Sequence, residues 1–238
     1  LRSDNTIQYG EEISQISIDP NSLSSLPSLG ELDIFRSLQL LPGISGTDET
    51  SSELSIRNSP SSQNLVLLDG FTIYRLDHFF GVFSAINPDA VRDIQVYKGG
   101  FGPKYGGRIS GVVDITGKSG NFNKPEYSFG INLLSARMSI NAPLNEGKGA
   151  IHFSTRRAYT DVIRSSLFKK LYKNYRENSN QVDDQGNDNS LRPNFHFYDV
   201  NLKTTYNISK RDIASFSLYW GRDELYTDFD QITGSGTS

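Results

Sequence analysis

The chain has 238 residues, with Lys+Arg 24 against Asp+Glu 27 and a formal net charge of −3, so it lacks the basic field that holds nucleic acid. Cysteine is absent, which excludes a disulfide framework, a thiolate metal site and a Cys nucleophile. Hydrophobic residues make up only 36%, yet 12 Tyr and 14 Phe argue against disorder and call for either a core or a non-aqueous face.

In chain order, residues 1–30 are polar and Ser-rich, and the alternation in "ISQISID" (Ile13–Asp19) reads as an edge or isolated strand. The chain starts at Leu1 with neither Met nor a signal sequence, which reads as an internal start. Leu29, Leu32, Ile34, Phe35, Leu38 and Leu41 fall near helical spacing. Ser28 is the expected N-cap with Glu31 three residues on, and Pro42-Gly43 the stop. After a polar linker (Ser45–Glu53) comes a strand-like "LSIR" (Leu54–Arg57). "NLVLLDG" and "FTIY" then pivot on Asp69-Gly70, a tight-turn signal. Asn87, Pro88 and Asp89 start a helical turn before a strand at Ile94–Lys98, which Gly99-Gly100 closes. "GVVDITGK" (Gly111–Lys118) is one more strand.

From Tyr127 the pattern becomes longer alternation. Tyr127, Phe129, Ile131 and Leu133 fall on one face, and Ile151 and Phe153 oppose His152 and Ser154. "FHFYDVNLKTTYNI" and "IASFSLYWGRD" add two further segments, with tight turns at Asn145–Gly147 and Ser209–Asp212. These strands have one apolar face, one polar face and aromatics near their ends. The polar insert Lys169–Pro193 reads as a solvated loop. No apolar run exceeds Leu65–Leu68, far short of the roughly 18 to 20 residues of a spanning helix. Barrel strands of ~10 alternating residues remain compatible with this.

Candidate chemistry is sparse. "YKGGFGPKYGGRISG" (Tyr97–Gly111) clusters glycines as an anion cradle does, but neither nucleotide-binding glycine pattern can be spelled, and a strand rather than a helix follows. His78, His152 and His196 stand alone, without helical metal spacing. "DDQGNDN" (Asp183–Asn189) lacks the closing Glu of a calcium loop. No G-x-S-x-G occurs. Tyr219 and Trp220 read either as a sugar platform or, more simply, as strand-end aromatics at a lipid interface.

The stretch "QNLVLLDGFTIYRLDHFFGVFSAINPDAVRDIQVYKGGFGPKYGGRISGVVDITGKSGN" (Gln63–Asn121), with "SLPSLGELDIFRSLQLLPGI" upstream, resembles the plug domain of TonB-dependent outer-membrane receptors. The resemblance covers about residues 24–121. It implies an α+β plug, a small mixed sheet with short helices, followed by antiparallel strands of a transmembrane β-barrel. The expected organisation is 1–23 as a segment leading into the plug, 24–121 as the plug, and 122–238 as the first barrel strands with a long extracellular loop. About 115 residues after the plug supply four to six strands at ~10 residues each plus loops, so the barrel is incomplete in this chain.

By the same resemblance, Arg57 and Arg108 are plug–barrel contacts aimed at acidic groups of the wall, where a charge-assisted bond is stronger than at an open surface. The plain alternative is a solvated arginine. Asp69, Gly70, Gly99, Gly100, Gly106 and Gly107 are structural turns, while Asn58, Gln63, Arg75, Asp77 and His78 lie on ligand-facing loops. The family usually reads Arg-Gly-Gly where this chain has Arg57-Asn58-Ser59, though Asn tolerates a left-handed conformation.

The implied function is binding of a scarce nutrient (siderophore, cobalamin, glycan or peptide) at the cell surface and its energy-coupled import to the periplasm. Its implied partners are the TonB protein, outer-membrane lipid and the transported ligand, with a surface lipoprotein as a candidate. The resemblance brings no metal, cofactor or catalytic residue. The alternative is a soluble carbohydrate-binding module of mixed α/β structure, and a hydrolase is the third reading.

Overall fold

The computed structural model describes residues 7–9, 14–23, 32–46, 52–78, 81, 83–162, 170 and 194–226. The first half builds a six-stranded mixed sheet in the order β1-β2-β9-β10-β5-β6. These strands are β1 (Ile7–Tyr9), β2 (Gln15–Ile18), β5 (Leu65–Leu68), β6 (Phe71–Thr72), β9 (Val91–Tyr97) and β10 (Val112–Gly117). Strands β5 and β10 run parallel and the other neighbours antiparallel. Strand β2 is neither isolated nor an edge, because β1 and β9 flank it.

The run "LVLL" is apolar at every position because β5 is buried on both faces, as a parallel strand covered on two sides must be. Val66 and Leu68 point into the main core with Ile18, Phe35, Ile94 and Ile115. Leu65 and Leu67 point the other way, to Tyr97, Tyr105 and Val112. Two short helices serve the main core, α1 (Pro20–Leu23) and α2 (Ile34–Leu38). The described helix is capped by Asp33, whose side chain accepts from the Arg36 amide. It starts at Ile34, later than the apolar spacing predicts, and the expected cap Ser28 and its partner Glu31 lie outside the described residues. Gly43, at φ +78, turns the chain after Pro42.

Small pairs complete this half: β3 (Ile44–Ser45) with β4 (Ser55–Ile56), and β7 (Asp77–His78) with β8 (Phe83–Ser84). A 3-10 turn at Pro88–Ala90 leads into β9, capped by the Asn87 side chain accepting from the Asp89 amide. The glycine-rich link from β9 to β10 folds back through Tyr105, whose ring lies 5.2 Å from that of Tyr97 and whose hydroxyl donates to Asp114 at 2.7 Å. Burial, then the bond to Asp114, pushes the Tyr105 phenol above its usual pKa.

The second half is an antiparallel meander, β11-β12-β13-β14-β15. Its strands are β11 (Glu126–Ile131), β12 (Ser135–Leu144), β13 (Gly149–Ala158), β14 (Asn194–Asn207) and β15 (Ile213–Tyr226). Strand β12 is missing from the sequence reading. Asn145, Glu146 and Gly147 all take positive φ in the turn from β12 to β13, and Ser209 bonds to Asp212 in the turn from β14 to β15. The insert Lys169–Pro193, with Asp183–Asn189 inside it, lies outside the described residues except for Lys170.

The meander is inside-out relative to a water-soluble sheet. Ser154, Arg156 and Asp199 are 0%, 1% and 0% exposed, while Phe129, Ile131 and Phe216 are 76%, 82% and 58% exposed. On β12, β13 and β14 the phase carrying Ser135, Ser139, Ser154, Arg156 and Asp199 is buried, with Phe195 and Phe197 beside these polar groups on β14, and most apolar side chains of the other phase face outward.

Candidate functional site

The two halves meet through charged and polar side chains. On β13, Arg156 donates to the Asp199 carboxylate of β14 from Nε at 2.8 Å and from Nη2 at 2.5 Å. The same Nη2 donates to the Ser84 carbonyl of β8 at 2.6 Å, and the guanidinium lies 4.9 Å from the Phe197 ring centre. A buried guanidinium is tolerable only with its donors used and its charge matched, and these partners supply both. Beside it, Tyr219 of β15 donates its hydroxyl to the Ala85 carbonyl at 2.9 Å.

A second station forms at the hairpin tip between β5 and β6. Asp69 and Gly70 take φ of +49° and +88°, and this twisted turn aims the Asp69 carboxylate at the meander. It accepts from Lys203 of β14 at 2.5 Å, from Ser217 of β15 at 2.8 Å and from the Gly117 amide at 3.0 Å. Burial pulls the Asp69 pKa up, but the bonds from Lys203, Gly117 and Ser217 outweigh it and hold the pKa below the ordinary value. A third station joins Asp89 to Arg137 of β12 at 3.2 Å.

The remaining sequence-predicted positions fall in two groups. Arg57 and Asn58 form a turn with φ of +54° and +59°, so Asn58 does adopt the left-handed conformation. Arg57 lies against Gly99, where a Cβ would sit 2.7 Å from its Nη1. Arg57, Gln63, Gly99 and Gly100 share a cleft of about 520 Å³. Gly99, Gly100 and Gly107 take positive φ and Gly106 does not. Arg108 is exposed, bonds to the Gly107 carbonyl, and lines a separate cleft of about 260 Å³ with Glu53, Tyr74, Arg75 and Asp77. Among the described ion pairs, none joins Arg57 or Arg108 to the meander. Arg75, Asp77 and His78 also line a cavity of about 510 Å³ bounded by Tyr219 and Asp223 of β15.

Sequence reasoning missed Arg137, Arg156, Asp199, Lys203, Ser217 and Asp223. All lie on inward positions of their strands, so charges on the polar phase of an alternating segment were the available signal. The sugar-platform reading of Tyr219 and Trp220 fails on geometry, because neighbours on a strand point to opposite faces. Tyr219 is tied inward to Ala85, and Trp220 is 48% exposed on the outer face.

A mixed α/β domain pinned by ion pairs to the polar face of an antiparallel meander, with the apolar face outward, is the layout of a plugged membrane barrel. Residues 16–113 match the family described as the TonB-dependent Receptor Plug Domain. The first half of the chain thus carries the plug-domain match, and an antiparallel meander follows it.

Solved structures agree on the fold. The siderophore receptor PirA from Acinetobacter baumannii aligns with a TM-score of 0.61 at 14% identity, over 90% of this chain and 32% of that one. The copper transporter OprC aligns at 0.58 and 14% identity, over 93% and 32%. The outer membrane transporter YddB from Escherichia coli aligns at 0.59 and 14%, over 89% and 33%. This chain therefore spans about a third of their length. No curated protein matches it by sequence.

Proposed function

We propose that the chain is the plug and adjoining wall of a transporter that binds a scarce nutrient at the cell surface and carries it to the periplasm by energy-coupled plug displacement. The nutrient is of the siderophore, cobalamin, glycan or peptide class. The TonB protein drives the step, with outer-membrane lipid around the wall and a surface lipoprotein as a candidate partner. The organisation that goes with this reading is a leading segment 1–23, a plug 24–121, and barrel strands with a long extracellular loop 122–238. No bond in the cargo is broken, so the reading is a transporter rather than an enzyme.

The observation that carries it is the chemistry of the interface between the halves. Asp69 with Lys203 and Ser217, Asp89 with Arg137, the Ser84 carbonyl with Arg156, and His78 with Asp223 are polar contacts whose groups water can satisfy once they part. A plug docked on an apolar wall would instead lose ~25 cal/mol for every Å² of apolar surface exposed on release. Asn58, Gln63, Arg75, Asp77 and His78 are assigned to the ligand side, with the His78 ring itself buried against Asp199 and Asp223. Arg57 and Arg108 are assigned to wall contacts beyond β11–β15.

The test uses cells carrying the full-length receptor and a radiolabelled panel of ferric siderophores, cobalamin, oligosaccharides and peptides. Energised cells accumulate one of these, and collapse of the proton-motive force stops accumulation while surface binding persists. Arg108→Ala lowers uptake per bound ligand. Accumulation of no panel member, or accumulation indifferent to energy, would sink the transport reading.

A further inference from the structure

Strand β7 inserts His78 between two wall carboxylates, where the residue is 4% exposed. Its Nδ1 is hydrogen-bonded with the Asp223 carboxylate of β15, and its Nε2 lies 3.7 Å from Oδ2 of Asp199 on β14. The ring stacks on Phe197, with centroids 4.2 Å apart and planes 9° from parallel, so it cannot turn away without losing that contact. The hydroxyl of Tyr219 belongs to the same surroundings but is committed to the Ala85 carbonyl.

The charges around His78 do not balance without it. Asp77 lies on its own strand, Arg75 just before, Arg156 on β13, Asp199 on β14 and Asp223 on β15. Arg156 serves Asp199. Arg75 reaches Asp77 at 3.1 Å and Asp223 at 3.5 Å. Among the described residues three carboxylates thus face two guanidiniums, and an imidazolium balances the third carboxylate. A neutral imidazole has one N–H. If that N–H goes to Asp223, the lone pair on Nε2 faces the Asp199 carboxylate, whereas the cation presents a donor to each.

We propose that His78 is a proton-operated latch: as imidazolium it tightens the hold of the wall on the β7–β8 hairpin, and loss of its proton loosens that hairpin, leaving the Arg156 bond to the Ser84 carbonyl as its tether, while the rest of the plug stays docked. The Asp69–Lys203 and Asp89–Arg137 contacts involve no histidine and hold through the same change.

The sign follows from the surroundings. Burial is the largest influence and works against the charge, but the contacts with Asp199 and Asp223 outweigh it and the opposing Arg156. The His78 pKa is therefore raised above the ordinary 6.5. A raised folded-state value means that the latch contributes fully below pH 6.5 and is lost as pH climbs through the folded value. The latch is a property of the docked plug and stands apart from which cargo the receptor carries.

The experiment is hydrogen exchange on the full-length receptor in detergent micelles, corrected for the intrinsic pH dependence of amide exchange, from acid to alkaline pH. Protection of residues 77–84 falls severalfold as pH rises above 6.5, while protection of the β5–β6 turn at Asp69 stays level. His78→Gln abolishes the step, and His78→Lys, cationic across the range, keeps the hairpin protected throughout. The wild-type profile decides even if a variant fails to fold. Protection of residues 77–84 that ignores pH overturns the latch, as does an equal step at the β5–β6 turn or a step that survives His78→Gln.

Discussion

Lys203 on the wall strand β14 holds Asp69, at the tip of the plug hairpin, through a 2.5 Å ion pair in which both side chains are 12% exposed. Two residues 134 positions apart in sequence thereby set where the plug sheet meets the barrel. Hydrogen bonds to charged groups contribute about 1.5–3 kcal/mol, so Lys203→Met destabilises the docked plug by about 2 kcal/mol in denaturant unfolding of the full-length receptor. Acid sharpens the test. The Asp69 pKa is lowered from 3.8, so its contribution is present above pH 3.8 and is lost as pH falls through the lower folded value. Without Lys203 that loss begins at higher pH. An unchanged acid midpoint in Lys203→Met would show that the pair contributes nothing to docking.

The Arg156–Asp199 pair is more deeply buried, and its energetics are asymmetric. Removing one partner strands a charge in a buried site, at a cost of about 3–5 kcal/mol, whereas replacing both by apolar groups is far milder. Arg156→Met is therefore severe and Arg156→Met/Asp199→Leu recovers much of the loss, leaving a deficit from the missing Ser84 bond. A double-mutant cycle by denaturant unfolding reads this coupling. Additive effects of the two substitutions would contradict it.

Close backbone approach makes a third site testable. Gly120, where the plug hands over to the barrel, has φ +88°, and a Cβ there would lie 2.5 Å from the Ile151 carbonyl oxygen. That neighbour is backbone and cannot rotate aside. Gly120→Ala destabilises by more than ~1 kcal/mol, because a side chain is forced into an incompatible backbone conformation. Gly102, with open space around it, tolerates alanine within about 0.5 kcal/mol. Equal unfolding midpoints for the two variants would rule out the close contact.

Several of these features were legible in sequence for simple reasons. The period-2 contrast of Ile151 and Phe153 with His152 and Ser154 identified both faces of β13, because alternation is local and survives any tertiary arrangement. Asp69-Gly70 announced its turn for the same reason. Strand β12 escaped because Ala136 and Ala142 dilute its apolar phase and Pro143, on the opposite phase, reads as a strand breaker. The sequence places the start of α2, at Ile34, too early because Leu29 and Leu32 continue its apolar spacing, while the Asp33 side chain caps it. The pairing of Arg156 with Asp199 spans 43 residues and that of Asp69 with Lys203 spans 134. No local pattern encodes such partners. Asp69 illustrates the gap best: its role as a turn residue is visible in two letters, while its role as a docking carboxylate needs β10, β14 and β15 in place.

The outward face of β15 supplies a test of the barrel itself. Phe216, Leu218 and Trp220 point out with 58%, 43% and 48% exposure, while Ser217 and Tyr219 bond to the plug. Beyond Trp220 the outer face turns polar, with Arg222 paired to Glu224 at 2.7 Å, as at the edge of a lipid band. An arginine at the midplane of a barrel's lipid face costs about 2–4 kcal/mol and near the interface about 0–1. Leu218→Arg therefore lowers the stability of the full-length receptor folded into lipid vesicles by about 2–4 kcal/mol, well beyond Leu218→Ala, and Ala214→Arg, on the same face nearer the strand end, costs less. The same substitutions in detergent micelles, where no bilayer midplane exists, lose most of this depth dependence. Equal costs for Leu218→Arg and Leu218→Ala in vesicles would mean that the face does not meet lipid, and the outward apolar phase of β11–β15 would then need a protein partner to cover it.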